Sequence, residues 1–190
     1  MPPELPPFAT PAPSESVYTG VGIDASGCLY VYGDDPKAPH QLIPAVHGKP
    51  SQLGLRMLGA SGRYGARPYL ELYLDGDMPA ANAVLRIPAA RPGPDGFVPT
   101  GPARSLLAAL AALPPQAVSI SIAPKRGQAA NFLNITPVDS SGRGLPQVRV
   151  QPVPADLDAL ALAIQRACAK LGCQEADLLH LLNPTPSTHS

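Results

Sequence analysis

The chain is predicted to be an α+β protein, mainly β, in which an antiparallel sheet or small barrel is followed by a C-terminal helical hairpin. Three observations predict it. The stretch ARPYLELYLDGD, residues 66 to 77, alternates, with Leu70, Leu72 and Leu74 on one side of an extended chain and Tyr69, Glu71, Tyr73 and Asp75 on the other. Shorter runs with the same period of two recur between Val17 and Val150, separated by glycine and proline. After Pro154 the period changes, and Leu157, Leu160, Ala161, Ile164, Cys168 and Leu171 recur at the three- and four-residue spacing of an amphipathic helix.

The elements follow in order. Residues 1–16 are rich in proline, alanine and serine and read as a disordered or extended tail. VYTGVGID, the turn Ala25-Ser26-Gly27 and CLYVYG read as a hairpin, with Leu29 and Val31 on one face and Cys28, Tyr30 and Tyr32 on the other. GDDPKAPH is a loop. A third strand fits Gln52 to Leu58, with Leu53, Leu55 and Met57 opposite Arg56, and the glycine-rich GASGRYGARP leads into the strand at Tyr69. Ala83 to Ile87 is a fifth strand, with Leu85 and Ile87 opposite Arg86. Pro88 to Pro102 is expected to be a long loop because of its proline and glycine content. A helix over Arg104 to Leu113 is stopped by Pro114 and Pro115. Strands at Val118 to Ile122 and Asn131 to Thr136 flank a turn at Lys125-Arg126-Gly127, and a last strand fits Gln147 to Val150. The helix from Asp156 to Leu171 ends at Gly172, a second runs from Gln174 to about Leu182, and residues 184–190 form a tail. The expected organisation is therefore a tail (1–16), a β-rich core (17–152), a helical hairpin (153–183) and a tail (184–190).

Composition narrows the function classes. The hydrophobic fraction of 45% suits a chain that buries its own core, whereas 26 prolines require much ordered loop. Three cysteines, Cys28, Cys168 and Cys173, form no disulfide framework, and the first residues lack the basic and apolar regions of a secretory signal. A cytoplasmic protein without a membrane partner is expected. Charge is uneven: residues 49–150 hold eleven basic residues against five acidic, while both ends are acidic. Such a basic centre suits a polyanion, and equally suits ordinary solvated charge.

No motif points to catalysis or a cofactor. GASGRYGARP lacks the GK[ST] of a phosphate-binding loop. Cys168, Cys173 and His180 match no zinc spacing, and His40 and His47 have no nucleophile or acid to work with. Helix-turn-helix spacing over 165–178 is spoiled by Glu175 and Asp177 where a reading helix would meet phosphate. Neither enzyme activity, a metal nor another cofactor is expected.

What remains is the outward side of the strands, where Tyr30, Tyr32, Arg56, Tyr69, Tyr73, Arg86 and Phe132 converge, with Arg63, Tyr64 and Arg67 in or beside the glycine-rich loop and Lys125 and Arg126 at a second turn. Rings stack nucleobases and arginines hold phosphate, so this set suits single-stranded DNA or RNA. Alternatively the rings are half-buried packing under helices or another subunit. The layout of short strands, an intervening helix and outward aromatics over residues 17–150 resembles the oligonucleotide-binding (OB) barrel of single-stranded DNA-binding proteins from bacteria and mobile elements. That resemblance implies a non-enzymatic nucleic-acid-binding module. The other reading is an adaptor or structural protein of a bacterial assembly that binds protein through the same face, with 153–183 mediating self-association or partner contact.

Overall fold

The computed structural model describes residues 18–33, 35, 38–58, 65–76, 82–126 and 131–171, with the side chain of Arg126 excepted. Both expected tails, the second helix of the C-terminal hairpin, Arg63 and Tyr64 lie outside the described residues.

The described residues form ten strands and two helices: β1 (Thr19–Ile23), β2 (Leu29–Val31), β3 (Gln41–Ile43), β4 (Val46–Leu58), β5 (Arg67–Asp75), β6 (Ala83–Pro88), β7 (Ala90–Gly93), β8 (Gly96–Pro99), α1 (Gly101–Ala111), β9 (Ser119–Arg126), β10 (Asn131–Val138) and α2 (Leu157–Leu171). The protein is α+β and mainly β, as its sequence predicts. Eight strands form one sheet in the order β10-β9-β4-β5-β6-β1-β2-β3, and β7 and β8 make a separate ribbon. Described pairs are antiparallel except β1 with β6.

The sheet curls into a half-barrel, and β4 is where it turns. Val46 to Gly48 pair with β9, Lys49 to Leu58 pair with β5, and the register shifts by a residue between Pro50 and Gln52. That bulge bends the strand and resets its parity, so Val46 and Leu53, an odd number apart, both face the core. Alternation alone therefore starts this strand at Gln52, six residues late.

Inside lie Leu53 and Leu55 from β4, Leu70, Leu72 and Leu74 from β5, Leu85 and Ile87 from β6, and Ile120, Ile122, Leu133 and Ile135 from the β9–β10 hairpin. α1 adds Leu106, Leu107 and Leu110, and α2 adds Leu160, Ile164 and Cys168. Asp156 opens α2 by accepting from the Ala159 N–H at 2.7 Å. α2 shares one core with the sheet and packs on α1 and β4.

Four expectations are corrected. The stretch read as a loop from Pro88 to Pro102 contains the β7–β8 hairpin, whose Gly93-Pro94-Asp95-Gly96 turn uses a positive φ of 120° at Gly96. α1 begins at Gly101 rather than Arg104, because Thr100 caps it, accepting from the Ala103 N–H at 3.3 Å, with Pro102 in the first turn. Lys125 and Arg126 belong to β9, opposite Phe132 and Asn131, rather than to a turn. Gln147 to Val150 is not a strand: the 144–148 segment is held to β10 by a bridge at Gly144 and by bonds from Leu145 N and Val148 N to the Pro137 and Ile135 carbonyls, and Pro146 interrupts the ladder.

Candidate nucleic-acid interface

On the outward side of β5, Glu71 faces Gly54 of β4 and Arg86 of β6. Although it stands in the solvent register, Glu71 is only 3% exposed. Its carboxylate accepts from Arg86 Nε at 2.7 Å and from the Tyr73 hydroxyl at 3.4 Å, and pairs with Arg56 Nε at 3.4 Å. A buried carboxylate needs such partners. Two of the arginines expected to hold phosphate, Arg56 and Arg86, are thus tethered first to Glu71, although a guanidinium with five N–H donors keeps capacity for a further acceptor.

Beside this cluster the sheet has no side chains to stand on. Gly20 and Gly22 of β1 lie on the outward side between β6 and β2, and the Tyr30 and Tyr32 rings lie across them. A Cβ at Gly22 would come within 2.7 Å of the Tyr30 hydroxyl oxygen, and one at Gly20 within 2.8 Å of Tyr32 Cδ2. Tyr30 is 9% exposed and Tyr32 41%. His40 stacks on Tyr30 at 3.9 Å with planes 5° apart, Tyr32 meets Tyr30 edge-on at 5.1 Å, and the Arg86 guanidinium sits 5.8 Å from the Tyr32 ring centre. Burial, then the hydrogen bond with Tyr30, hold the Tyr32 phenol well above its ordinary pKa. Further along, Tyr73 meets Tyr18 edge-on at 5.2 Å, and the Tyr18 hydroxyl donates to Asp75 at 2.7 Å, which raises the Tyr18 pKa. Tyr30 and Tyr32 thus lie along the sheet, over the glycines.

Tyr69 and Arg67 fall elsewhere, at the start of β5. They line a cleft of about 720 Å³ together with the β1–β2 turn, Arg91 of β7, the N-terminus of α1 with Arg104, and Asn131 of β10. Gly27 in the β1–β2 turn approaches Asn131 of the edge strand β10 so closely that a Cβ there would lie 2.6 Å from its side chain. No family model matches this chain, and no curated protein or solved structure matches it.

The expected residues therefore divide into three groups. Tyr30, Tyr32, Arg56, Tyr73 and Arg86 form one patch around Glu71. Arg67 and Tyr69 belong to the cleft. Lys125 stands opposite Phe132 on the β9–β10 hairpin, and Arg126 is paired with Asn131 at the cleft margin. Sequence reasoning passed over Glu71, Arg91, Arg104 and the two glycines. The glycines were visible in TGVGID, where Gly20 and Gly22 share the parity that faces Tyr30 and Tyr32. Arg91 was hidden by reading its hairpin as loop. Among the described residues no group of three or more His, Cys, Asp or Glu could hold a metal ion, and no helix is long and apolar enough to cross a membrane.

Proposed function

We propose that the protein is a cytoplasmic single-stranded nucleic-acid-binding module, without catalytic chemistry, built on an OB-like half-barrel. The observation that carries this reading is the outward patch of β5 and β6 with its neighbours, where flat rings and two arginines share one surface. The order of elements supports it. β4, β5 and β6 form a meander, α1 follows, and the β9–β10 hairpin returns to pair with β4. In OB barrels the second and third strands and the loops 1–2 and 4–5 bind oligonucleotides. The equivalents here are β5, β6, the 59–66 connection containing Arg63 and Tyr64, and the 127–130 connection flanked by Lys125 and Arg126. The adaptor reading has one observation in its favour: Leu42, 61% exposed, pairs with Tyr30 and sets an apolar group beside the patch.

Fluorescence anisotropy with a labelled single-stranded oligonucleotide, titrated at increasing salt, tests the proposal. Micromolar or tighter affinity that falls linearly in log salt is expected. Absence of salt-sensitive affinity for single-stranded DNA and RNA at low ionic strength removes the proposal and leaves the patch to a protein partner.

A further inference from the structure

We infer that the cleft at the N-terminus of α1 is a phosphate-binding subsite that takes one nucleotide phosphate between Arg67, Arg91 and Arg104, with the attached base against Tyr69. The inference rests on the nucleic-acid reading but concerns a different surface from the Glu71 patch. Three arginines reach one cleft from three elements, β5, β7 and α1. Guanidinium groups lining one cleft make it electropositive and favour an anion there.

The acid among the cleft's described lining residues, Asp24, is engaged in its own loop, accepting from the Cys28 N–H at 2.8 Å and the Ser26 hydroxyl at 2.7 Å. Arg104 is held at the wall because its Nε donates to the Val153 carbonyl. α1, eleven residues long, points its N-terminus at the same space and adds the positive end of its dipole. Tyr69 stands two residues from Arg67 on the same side of β5, so a ring and a cation are offered side by side, as a base and its phosphate require. A volume of about 720 Å³ admits a nucleotide.

Calorimetry with thymidine 5′-monophosphate and with thymidine, and anisotropy with a short labelled oligothymidylate, test this on the full chain. The variants are Arg91→Ala, on an exposed ribbon where loss of fold is not expected, and Arg166→Ala, an exposed charge control on α2. The expected result is measurable binding of the monophosphate, none of thymidine, and a loss of about tenfold or more for both phosphate ligands in Arg91→Ala, the scale of one charge-assisted hydrogen bond. Arg166→Ala should match the parent. If the oligonucleotide binds but the monophosphate does not, or Arg91→Ala binds it as Arg166→Ala does, the subsite is overturned while strand binding stands. Thymidine binding as tightly as its monophosphate also overturns it. If the monophosphate binds in an Arg91-dependent way and the oligonucleotide does not bind, the cleft stands as a mononucleotide site and the strand-binding reading fails. Binding of neither ligand removes both.

Discussion

β5 buries a residue on each of its faces, with opposite chemistry. Leu72 on the inner face is 0% exposed and Glu71 beside it on the outer face 3%. The inner face is closed by non-directional contact with leucines and isoleucines of the core, where any apolar group of the right size serves. The outer face is closed by directed interactions: two arginines and a tyrosine on one carboxylate, and tyrosine rings laid over glycines. Burial alone does not distinguish a core from a prepared surface. What distinguishes them is whether the covering groups could exchange their partners for a ligand, and only the outer set could.

Substitutions on the two faces separate these kinds of burial. The largest effect is expected on the inner side, where Leu72→Ala should cost about 2–5 kcal/mol in urea unfolding, and Leu160→Ala on α2 a similar amount if α2 seals the same core. A small cost at Leu160 would make α2 a peripheral layer. Glu71→Ala should follow at about 1–3 kcal/mol, less than for a fully enclosed ion pair because the Arg56 side chain is 59% exposed. If Glu71→Met combined with Arg86→Met restores most of the loss, the cluster serves specificity or binding more than stability. A Glu71→Ala variant as stable as the parent would reduce the outer face to ordinary solvated surface.

Gly22→Ala comes next, at about 1–3 kcal/mol, because the methyl must displace a Tyr30 ring already pinned by His40 and Tyr32. A double-mutant cycle with Tyr30→Ala should show coupling, and its absence would mean that the ring has room to move. The raised Tyr32 pKa has a sign that can be checked as well. The unfolded phenol ionises near pH 10 and the folded one above that, so stability is full below about pH 10 and is lost as pH rises further. Tyr32→Phe should remove part of that alkaline loss, read as the pH dependence of the unfolding midpoint.

The inner face was legible in the sequence because a period of two in β5, β6 and β10 needs no knowledge of partners. Where the pattern broke, the cause was a local device that periodicity does not encode. The bulge at Pro50–Gln52 hid the first half of β4, and prolines disguised the β7–β8 ribbon as loop. The side on which the rings lie was legible too, but not their posture, since that depends on Gly20 and Gly22 arriving from a neighbouring strand. Glu71 read as a solvated acid because its neutralising arginines are fifteen residues away in either direction, brought together by register alone. Arg91 and Arg104 share a cleft with Arg67 only through the packing of β5, β7 and α1, which no local pattern announces.

The smallest expected effect bears most directly on function. Arg56 pairs with Glu71 through a side chain that is largely in water, so Arg56→Ala should change stability by about 0–1 kcal/mol. If strand binding uses this patch, the same substitution should weaken oligonucleotide affinity and flatten the slope of log affinity against log salt by up to about 0.7, the value of one phosphate contact on a single strand. Tyr73→Ala should behave differently, weakening affinity by about 1–3 kcal/mol at unchanged slope, because stacking releases no counterions. Stability measured in parallel keeps the comparison clean, since Tyr73 also touches Glu71 and Tyr18. Two variants that lower affinity with different salt slopes would assign the outer face of β5 to a strand. An Arg56→Ala slope equal to that of the parent would show that Arg56 serves only Glu71, and would move phosphate recognition off the sheet and into the arginine cleft.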